Sequence, residues 1–332
     1  MTGPVNSHLP LLSVKDLRVH FPIRGDSSWP WTPARALKAV DGVSFDLHAG
    51  ETLGIVGESG CGKSTLARAL LDLVPITDGS IQWHGDEMRG ASPAAWQRKR
   101  KAVQMIFQDP LASLDPRMTV AQIIGEPLRT HCPELSAEQY NERVLAMMLR
   151  VGLTAQQINR YPHEFSGGQC QRIGIARALI LKPQVVICDE PVSALDVSIQ
   201  AQIINLLKKL QAEMGLALVF IAHDLAVVKH ISQRVMVMYL GRAMEVAHKH
   251  ALYDSPSHPY TQALLSAIPV PDPRIERGKT LQLLQGDLPS PINQPSGCVF
   301  RTRCPKAIAQ CAQAVPPLRS VTDQTQSACI LS

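Results

Sequence analysis

The segment GESGCGKST, residues 57–65, decides the fold of this chain. It has the spacing G-x-x-x-x-G-K-[ST] of a phosphate-binding loop, and it lies between the apolar run TLGIVG and the helical pattern KSTLARALLDLV. Its glycines allow the main chain to wrap closely around phosphates, so that N–H groups and a helix N-terminus face anionic oxygens. We therefore predict that the whole segment binds nucleotide phosphates: Gly57, Glu58, Ser59, Gly60, Cys61, Gly62, Lys63, Ser64 and Thr65.

Three side chains at the end of this segment have predicted roles of their own. Lys63 would reach the β- and γ-phosphates of a nucleoside triphosphate. Ser64 would bind Mg²⁺ through its hydroxyl, and Thr65 would reach the α-phosphate. The sequence thus predicts a site for ATP and Mg²⁺.

A second chemical element is VVICDE, residues 185–190. The apolar residues predict a buried strand, and the two acids stand at its carboxyl end, where α/β proteins bind ligands. We expect Asp189 to hold Mg²⁺ and Glu190 to polarise the water that attacks the γ-phosphate.

A third element is FSGGQCQRIGIARAL, residues 165–179. Ser166, Gly167, Gly168 and Gln169 directly precede a predicted helix, so they form a second N-terminus suited to a phosphate contact. One nucleotide does not need two such loops. The simplest explanation is a pair of subunits, in which each offers this loop to the ATP held by the other.

The order of predicted elements indicates an α/β protein. Two alternating runs between residues 11 and 46 predict an antiparallel strand pair, and the stretch between residues 110 and 178 reads as a helical insertion. Elsewhere apolar strands alternate with helices, which predicts a parallel sheet covered on both faces. From about residue 251 the chain is rich in proline, which predicts a separate small module without central strands.

Composition and charge narrow the class of protein. The net charge is +5, but Lys and Arg are scattered, and the one basic run, WQRKRK at residues 96–101, reads as a solvated helix face. We expect no nucleic-acid partner. The start of the chain does not resemble a signal peptide, and the longest apolar run, LALVFIA at residues 216–222, is far below the roughly 20 residues of a membrane span. We expect a cytosolic chain that does not cross a membrane alone.

Residues 11–250 resemble the ATP-binding cassette (ABC) family. The signature LSGGQ is present with Phe165 in place of Leu, and the other family motifs follow in order: QMIFQDP with Gln108, SALD at residues 193–196 and IAHD with His223. The resemblance implies an active ATPase. It also implies a P-loop core with an antiparallel β subdomain and a helical subdomain at about residues 110–178.

The resemblance implies roles for several further residues. Gln108 would contact Mg²⁺ or the attacking water, His223 would donate a hydrogen bond to the γ-phosphate, and Asp196 would lie at the subunit interface. An aromatic ring stacks on adenine in this family. Phe21 is our candidate for this ring, and Trp29 and Trp31 are the alternatives. A second interpretation of Phe21 is that it is an ordinary strand residue.

Half of the eight cysteines lie in the last tenth of the chain: Cys298, Cys304, Cys311 and Cys329. The others, Cys61, Cys132, Cys170 and Cys188, are expected to be small buried hydrophobic residues. Four clustered thiols in a cytosolic chain favour a metal, and both zinc and an iron–sulfur cluster accept four cysteines. The spacing leaves the choice open, because it lacks the close pairs of a zinc site and does not match a ferredoxin.

Residues 251–332, with the stretch HPYTQALLSAIP and the four cysteines, resemble the C-terminal extension of oligopeptide and dipeptide importer ATPases. This resemblance favours a 4Fe–4S cluster, ahead of zinc and of redox-active or structural thiols. It implies an ATPase on the cytoplasmic face of the inner membrane that energises oligopeptide uptake. The implied partners are a second, related ATPase subunit, two transmembrane permease subunits and an extracellular or periplasmic peptide-binding protein.

Three other functions share some or all of these motifs. A cassette protein acting on nucleic acid or ribosomes usually carries long coiled-coil insertions or a second cassette, which are missing here. A regulatory subunit that does not hydrolyse ATP would be favoured by a change at Glu190 or His223, and both are intact. An importer of dipeptides, nickel or glutathione would share all these motifs, so the cargo stays open.

Overall fold

The computed structural model describes residues 9–23, 35–269, 272–278, 282 and 284–332. Its strands are β1 (Leu12–Ile23), β2 (Arg35–Leu47), β3 (Thr52–Val56), β4 (Asp78–Trp83), β5 (Asp86–Glu87), β6 (Val103–Ile106), β7 (Val185–Asp189), β8 (Ala217–Ile221), β9 (Arg234–Tyr239), β10 (Arg242–His248), β11 (Arg319–Thr322) and β12 (Thr325–Ser327). Its α-helices are α1 (Lys63–Ala69), α2 (Pro93–Arg100), α3 (Val120–His131), α4 (Ala137–Arg150), α5 (Gly167–Leu179), α6 (Val197–Met214), α7 (Leu225–Ile231), α8 (Lys249–Asp254), α9 (Pro259–Ser266) and α10 (Pro273–Gly278).

The chain forms two compact units. The first contains residues 9–11, 47–52 and 90–222, and the second contains the described residues of 12–46, 53–89 and 223–332. The phosphate-loop segment therefore belongs to the same unit as the C-terminal extension. The acidic pair and the signature segment belong to the other unit.

In the first unit, β6, β7 and β8 form parallel pairs, with Val185 opposite both Val103 and Ala217. All five residues of β7 and all five of β8 are buried. Strands that are buried along their whole length are typical of parallel sheets covered on both faces, as predicted from the sequence. Helices α3, α4 and α5 belong to this unit and include the region predicted as a helical insertion.

In the second unit, an antiparallel sheet has the order β2-β1-β4-β5. Its two N-terminal strands are the predicted pair, and His84 and Gly85, both with positive φ, close the β4–β5 hairpin. A further run of strands has the order β3-β9-β10-β12-β11, in which β3 and β9 are parallel and the later pairs antiparallel.

The expectation of a separate proline- and cysteine-rich module is not confirmed. Strand β12 pairs with β10 over Glu245–Ala247, so the end of the chain extends the sheet that contains β3. Proline does not prevent this pairing, because β11 and β12 contain none. Composition alone could not reveal that the two short strands would find a partner in β10.

Proline also starts a helix in this region instead of only interrupting one. Pro259 is the first residue of α9, where its missing N–H costs no hydrogen bond. The His258 Nδ1 accepts a hydrogen bond from the Tyr260 N–H and caps the helix. The buried carboxylate of Glu245 on β10 accepts hydrogen bonds from the N–H groups of Ser257 and His258, which fixes the start of α9 against the sheet.

Candidate active site

The phosphate loop depends on glycine at two close approaches. A Cβ atom at Gly62 would lie 2.0 Å from the Ala39 carbonyl oxygen, and the backbone there has φ of +103°. At Gly57 a Cβ would lie 2.2 Å from the Met238 carbonyl oxygen. Gly60 has φ of +77° but faces open space. The loop is therefore held tightly at its two ends and is exposed at its middle.

Lys63 is buried and folds back over the loop. Its Nζ donates hydrogen bonds to the carbonyl oxygens of Gly57 at 2.8 Å and Glu58 at 3.1 Å. Burial raises the pKa of the Cys61 thiol, although the nearby Lys63 ammonium opposes this. Ser64 and Thr65 are half-buried in the first turn of α1, whereas Ser59 is exposed.

Glu58 receives contacts from the C-terminal extension. The Tyr260 hydroxyl accepts a hydrogen bond from the Glu58 N–H at 3.1 Å, and Arg303 donates to both Glu58 carboxylate oxygens at 2.9 Å. Local sequence patterns do not predict these contacts, because more than 200 residues separate the partners.

The predicted acidic pair lies at the end of β7. Asp189 is buried as the last residue of the strand, and Glu190 follows it with φ of +45°. The Gln108 side-chain amide donates a hydrogen bond to the Glu190 carboxylate at 3.1 Å. The Glu190 N–H donates to the Ile221 carbonyl, and its carbonyl accepts from Ser193. Two of the predicted catalytic residues, Gln108 and Glu190, are thus brought together in the first unit.

The signature segment is a capped helix N-terminus. The Ser166 side chain accepts from the Gln169 N–H, and the Gln169 side chain accepts from the Ser166 N–H, which forms a capping box at the start of α5. A Cβ at Gly168 would lie 2.6 Å from a methyl group of Ile199, while one at Gly167 would only touch Leu195. Gly168 is therefore required by packing against α6, which the sequence had not suggested.

The remaining predicted residues lie as follows. His223 is exposed, two residues after β8, and Asp196 is the exposed residue that precedes α6. Phe21 is half-buried near the end of β1. Trp29 and Trp31 lie outside the described residues. The choice between these aromatic rings as the partner of adenine stays a prediction.

The four C-terminal cysteines line one small cavity of about 10 Å³, together with His258, Pro259 and Phe300 among others. All eight cysteines of the chain are free thiols, and the other four are buried, as expected. Burial raises the pKa of Cys298 and of Cys304, and neighbouring thiols of the quartet raise both further. Within the described part of the chain, no three His, Cys, Asp or Glu side chains are grouped as ligands of a metal ion. The structure thus gathers the four thiols but does not arrange them around an ion.

Among the described residues, no helix is both long and apolar enough to span a bilayer.

A phosphate loop alone occurs in many nucleotide-binding proteins. Here it is accompanied by an acidic pair after a buried parallel strand and by a second, glycine-rich helix N-terminus behind a helical segment. That combination restricts the class to ATPases with an ATP-binding cassette, because function is carried by the site and not by the fold alone.

Comparison with known proteins agrees with this class. The ABC transporter family model matches residues 40–193, and the model of the oligopeptide/dipeptide transporter C-terminal region matches residues 244–311. A dimeric post-hydrolysis structure of the ATP-binding cassette MJ0796 with ADP and Pi aligns with a TM-score of 0.63 at 26% identity, covering 72% of this chain and 98% of that one. The structure of CbiO1 from Clostridium perfringens aligns with the same TM-score at 25% identity, covering 74% and 91%.

Sequence relatives are closer. The chain is 65% identical to the oligopeptide transport ATP-binding protein OppF of Escherichia coli over 93% of its own length and 92% of that protein. It is 63% identical to OppF of Salmonella typhimurium, with coverage of 96% and 95%. The chain therefore belongs to the ABC transporter ATPases, in the group of the oligopeptide transport ATP-binding proteins.

Proposed function

We propose that this protein is the ATP-hydrolysing subunit of an importer that takes up oligopeptides. The observation that carries the proposal is the 65% identity to an oligopeptide transport ATP-binding protein across 93% of the chain, with every ATPase motif intact. Hydrolysis of ATP would supply the free energy for moving the peptide against its gradient.

The phosphate loop has the properties needed to bind ATP with Mg²⁺. The backbone of the loop depends on glycine, and its middle is exposed to solvent. Lys63 supplies a positive charge. Its Nζ would exchange its hydrogen bonds to two loop carbonyl oxygens for bonds to the β- and γ-phosphates. Mg²⁺ would neutralise charge on the phosphates. Ser64 and Asp189 have the oxygen ligands that it prefers, and Gln108 could supply a third.

Glu190 is the proposed general base. The Gln108 amide already holds its carboxylate by a hydrogen bond, which fixes the direction of the oxygen that would accept a proton from water. His223 would donate to the γ-phosphate, while the Ser166–Gln169 segment and Asp196 would act across a subunit interface. Phe21 would stack on adenine.

The proposed assembly contains this chain, a second related ATPase subunit, two permease subunits and a peptide-binding protein. The dimeric ATP-binding cassette among the structural neighbours supports a pair of ATPase subunits. The identity to an oligopeptide transport ATP-binding protein supports placing this chain at the cytoplasmic face of the membrane, with the transmembrane path in the permease subunits.

Uptake of labelled peptide in cells tests this function. Lys63→Ala should abolish uptake of a labelled tripeptide, because it removes the loop's positive charge, whereas Lys209→Ala, at an exposed position of α6, should leave uptake unchanged. Labelled dipeptide and nickel serve as parallel cargoes. Suppose that Lys63→Ala cells take up tripeptide normally but lose uptake of dipeptide or nickel. The ATPase assignment would then stand, and the assignment of oligopeptides as the cargo would be wrong.

We further propose that the four C-terminal thiols hold a metal group, with a 4Fe–4S cluster ahead of zinc. Four thiols in one cavity are the donor set that both groups accept. The cavity of about 10 Å³ has room for a single atom-sized occupant, so the thiols would have to move apart to hold four irons.

Metal analysis tests this assignment. Protein purified without oxygen should contain iron and acid-labile sulfide, and Cys304→Ser should lose both, while Cys132→Ser should retain them because Cys132 lies outside the cavity. A stoichiometric amount of zinc without sulfide would identify the bound metal group as zinc instead of the cluster. Absence of both elements in the wild-type protein would leave the thiols with a redox or packing role.

A further inference from the structure

Glu58, the second residue of the phosphate loop, is held by two residues of the C-terminal extension. Its N–H donates to the Tyr260 hydroxyl at 3.1 Å, and its carboxylate accepts two hydrogen bonds from one nitrogen of Arg303 at 2.9 Å. The Arg303 side chain is only 10% exposed and that of Glu58 25% exposed, so water screens this ion pair incompletely. One contact thus fixes the main chain of the loop and the other neutralises its carboxylate.

Both contacting residues pack within one buried group of aromatic rings. The rings of Tyr239, Tyr260 and Phe300 are fully buried, and their centroids lie 4.8 to 5.3 Å apart in edge or tilted contacts. The Arg303 guanidinium lies over the Tyr239 ring at 5.9 Å. A displacement of Phe300 or Arg303 would therefore be transmitted to the loop, because close-packed interiors deform little.

The same short segment also carries two of the clustered thiols. Phe300 and Arg303 lie between Cys298 and Cys304, in turns closed by the hydrogen bonds Arg301 N–H to Cys298 carbonyl and Arg303 N–H to Phe300 carbonyl. The Cys298 N–H donates to the Cys311 carbonyl, which ties this segment to a third thiol residue. The thiol cavity and the contacts to Glu58 are thus separated by less than one turn of chain.

The Glu58 carboxylate has an electrostatic consequence for nucleotide binding. It stands in a loop that is proposed to bind phosphates, so its negative charge opposes the ligand unless it is neutralised. Arg303 supplies the neutralising charge in this structure. Removing Arg303 would leave an unpaired carboxylate in the loop, and like charges a few ångströms apart repel strongly where water is partly excluded.

We propose that Arg303 and Tyr260 are positioning residues for the phosphate loop, through which the packing of the four C-terminal thiols sets the affinity for nucleotide. Because nucleotide binding by the loop is itself proposed, this inference rests on the proposed function. Neither residue is proposed to contact the nucleotide. They act through the main chain and the carboxylate of Glu58.

Calorimetric titration of the full-length protein with Mg–ADP tests the inference. Arg303→Gln should weaken Mg–ADP binding about tenfold, since losing a charged hydrogen bond costs on the order of 1.4 kcal/mol or more, and that energy corresponds to a factor of ten. Arg277→Gln is the matched control, because Arg277 is an exposed residue of α10 that does not line the thiol cavity, and it should bind within about twofold of wild type.

A charge-removal variant separates positioning from a general loss of structure. In Arg303→Gln/Glu58→Gln the unpaired carboxylate is gone, so binding should recover at least half of the tenfold loss. A double variant as weak as Arg303→Gln, or equal losses for Arg303→Gln and Arg277→Gln, would overturn the inference. If wild-type protein itself does not bind Mg–ADP, the proposed function fails instead.

Coupling to the thiols is measured by a double-mutant cycle. Cys304→Ser should weaken Mg–ADP binding in wild-type protein but have a smaller effect in Arg303→Gln, because the contact of the neighbouring Arg303 with the loop is already lost and only that of Tyr260 remains. Cys329→Ser repeats the cycle with a thiol from another segment of the cavity wall, in case one variant folds poorly. Additive losses in both cycles would refute the link between the thiols and the loop.

Discussion

The two glycine-rich loops of this ATPase are built in opposite ways. The phosphate loop takes its shape from distant parts of its unit: Gly62 fits against Ala39, and Glu58 is held by Tyr260 and Arg303. The start of the signature loop is closed by its own side chains, through the capping box of Ser166 and Gln169, although Gly168 also packs against Ile199 of α6. A loop shaped mainly by remote contacts can respond to events elsewhere in its unit, whereas a loop start closed by its own side chains depends less on them.

The largest effect on the shape of the phosphate loop is expected at Gly62. Gly62→Ala should destabilise the protein by about 3 kcal/mol or more and abolish nucleotide binding, because the new Cβ meets the Ala39 carbonyl at a positive φ. Gly60→Ala is the matched control: it has a positive φ but open space, so its cost should be about 1–2 kcal/mol. Equal losses in chemical denaturation would show that close approach to Ala39 does not shape the loop.

Lowering the pH should destabilise the helix that carries Tyr260, which contacts the phosphate loop. Burial lowers the pKa of His258, which caps the helix carrying Tyr260, to about 4 from 6.5. The unfolded chain takes up this proton below pH 6.5 and the folded chain only near pH 4, so stability is lost as pH falls through that range. The contribution lost is about 3 kcal/mol. Burial raises the pKa of Glu245, which acts in the opposite direction and offsets part of the loss.

Denaturation between pH 7 and pH 4 checks this expectation with His258→Asn, which keeps a capping acceptor but cannot be protonated. The variant should lose less stability than wild type across this range. An identical pH dependence of the two proteins would contradict the role assigned to His258.

The smallest expected effect is at the locally built loop. Ser166→Ala removes the cap of α5 and should cost about 1 kcal/mol, while Ser166→Asn preserves an acceptor and should cost little. The unfolding free energy from urea titration measures both. A cost above about 3 kcal/mol for Ser166→Ala would mean that Ser166 also makes stabilising contacts outside the capping box.

This contrast explains how much the sequence could predict. The P-loop, the strand that ends in Asp189 and the helix after Ser166 follow from local patterns, and all three were predicted. The contacts of Tyr260 and Arg303 with Glu58 and the pairing of β12 with β10 link residues far apart in the chain. Such contacts depend on tertiary packing, which no local spacing encodes.

Glycine shows the same division. Sequence spacing assigned glycines 57, 60, 62, 167 and 168 to phosphate binding, which stays a prediction. The structure gives Gly168 a packing reason, because Ile199 of α6 occupies the space that a side chain would need. A motif therefore locates a constraint without revealing which neighbour imposes it.

ATP hydrolysis by the assembled transporter in vesicles tests the central assignment most directly. Glu190→Gln should bind Mg–ATP but release phosphate at least about 100-fold more slowly, because a general base contributes that much to the rate. Glu213→Gln, which alters an exposed carboxylate paired with Arg150 and Lys209, should hydrolyse ATP at the wild-type rate. Phosphate release by Glu190→Gln near the wild-type rate would contradict the mechanism and the role of the Gln108–Glu190 pair.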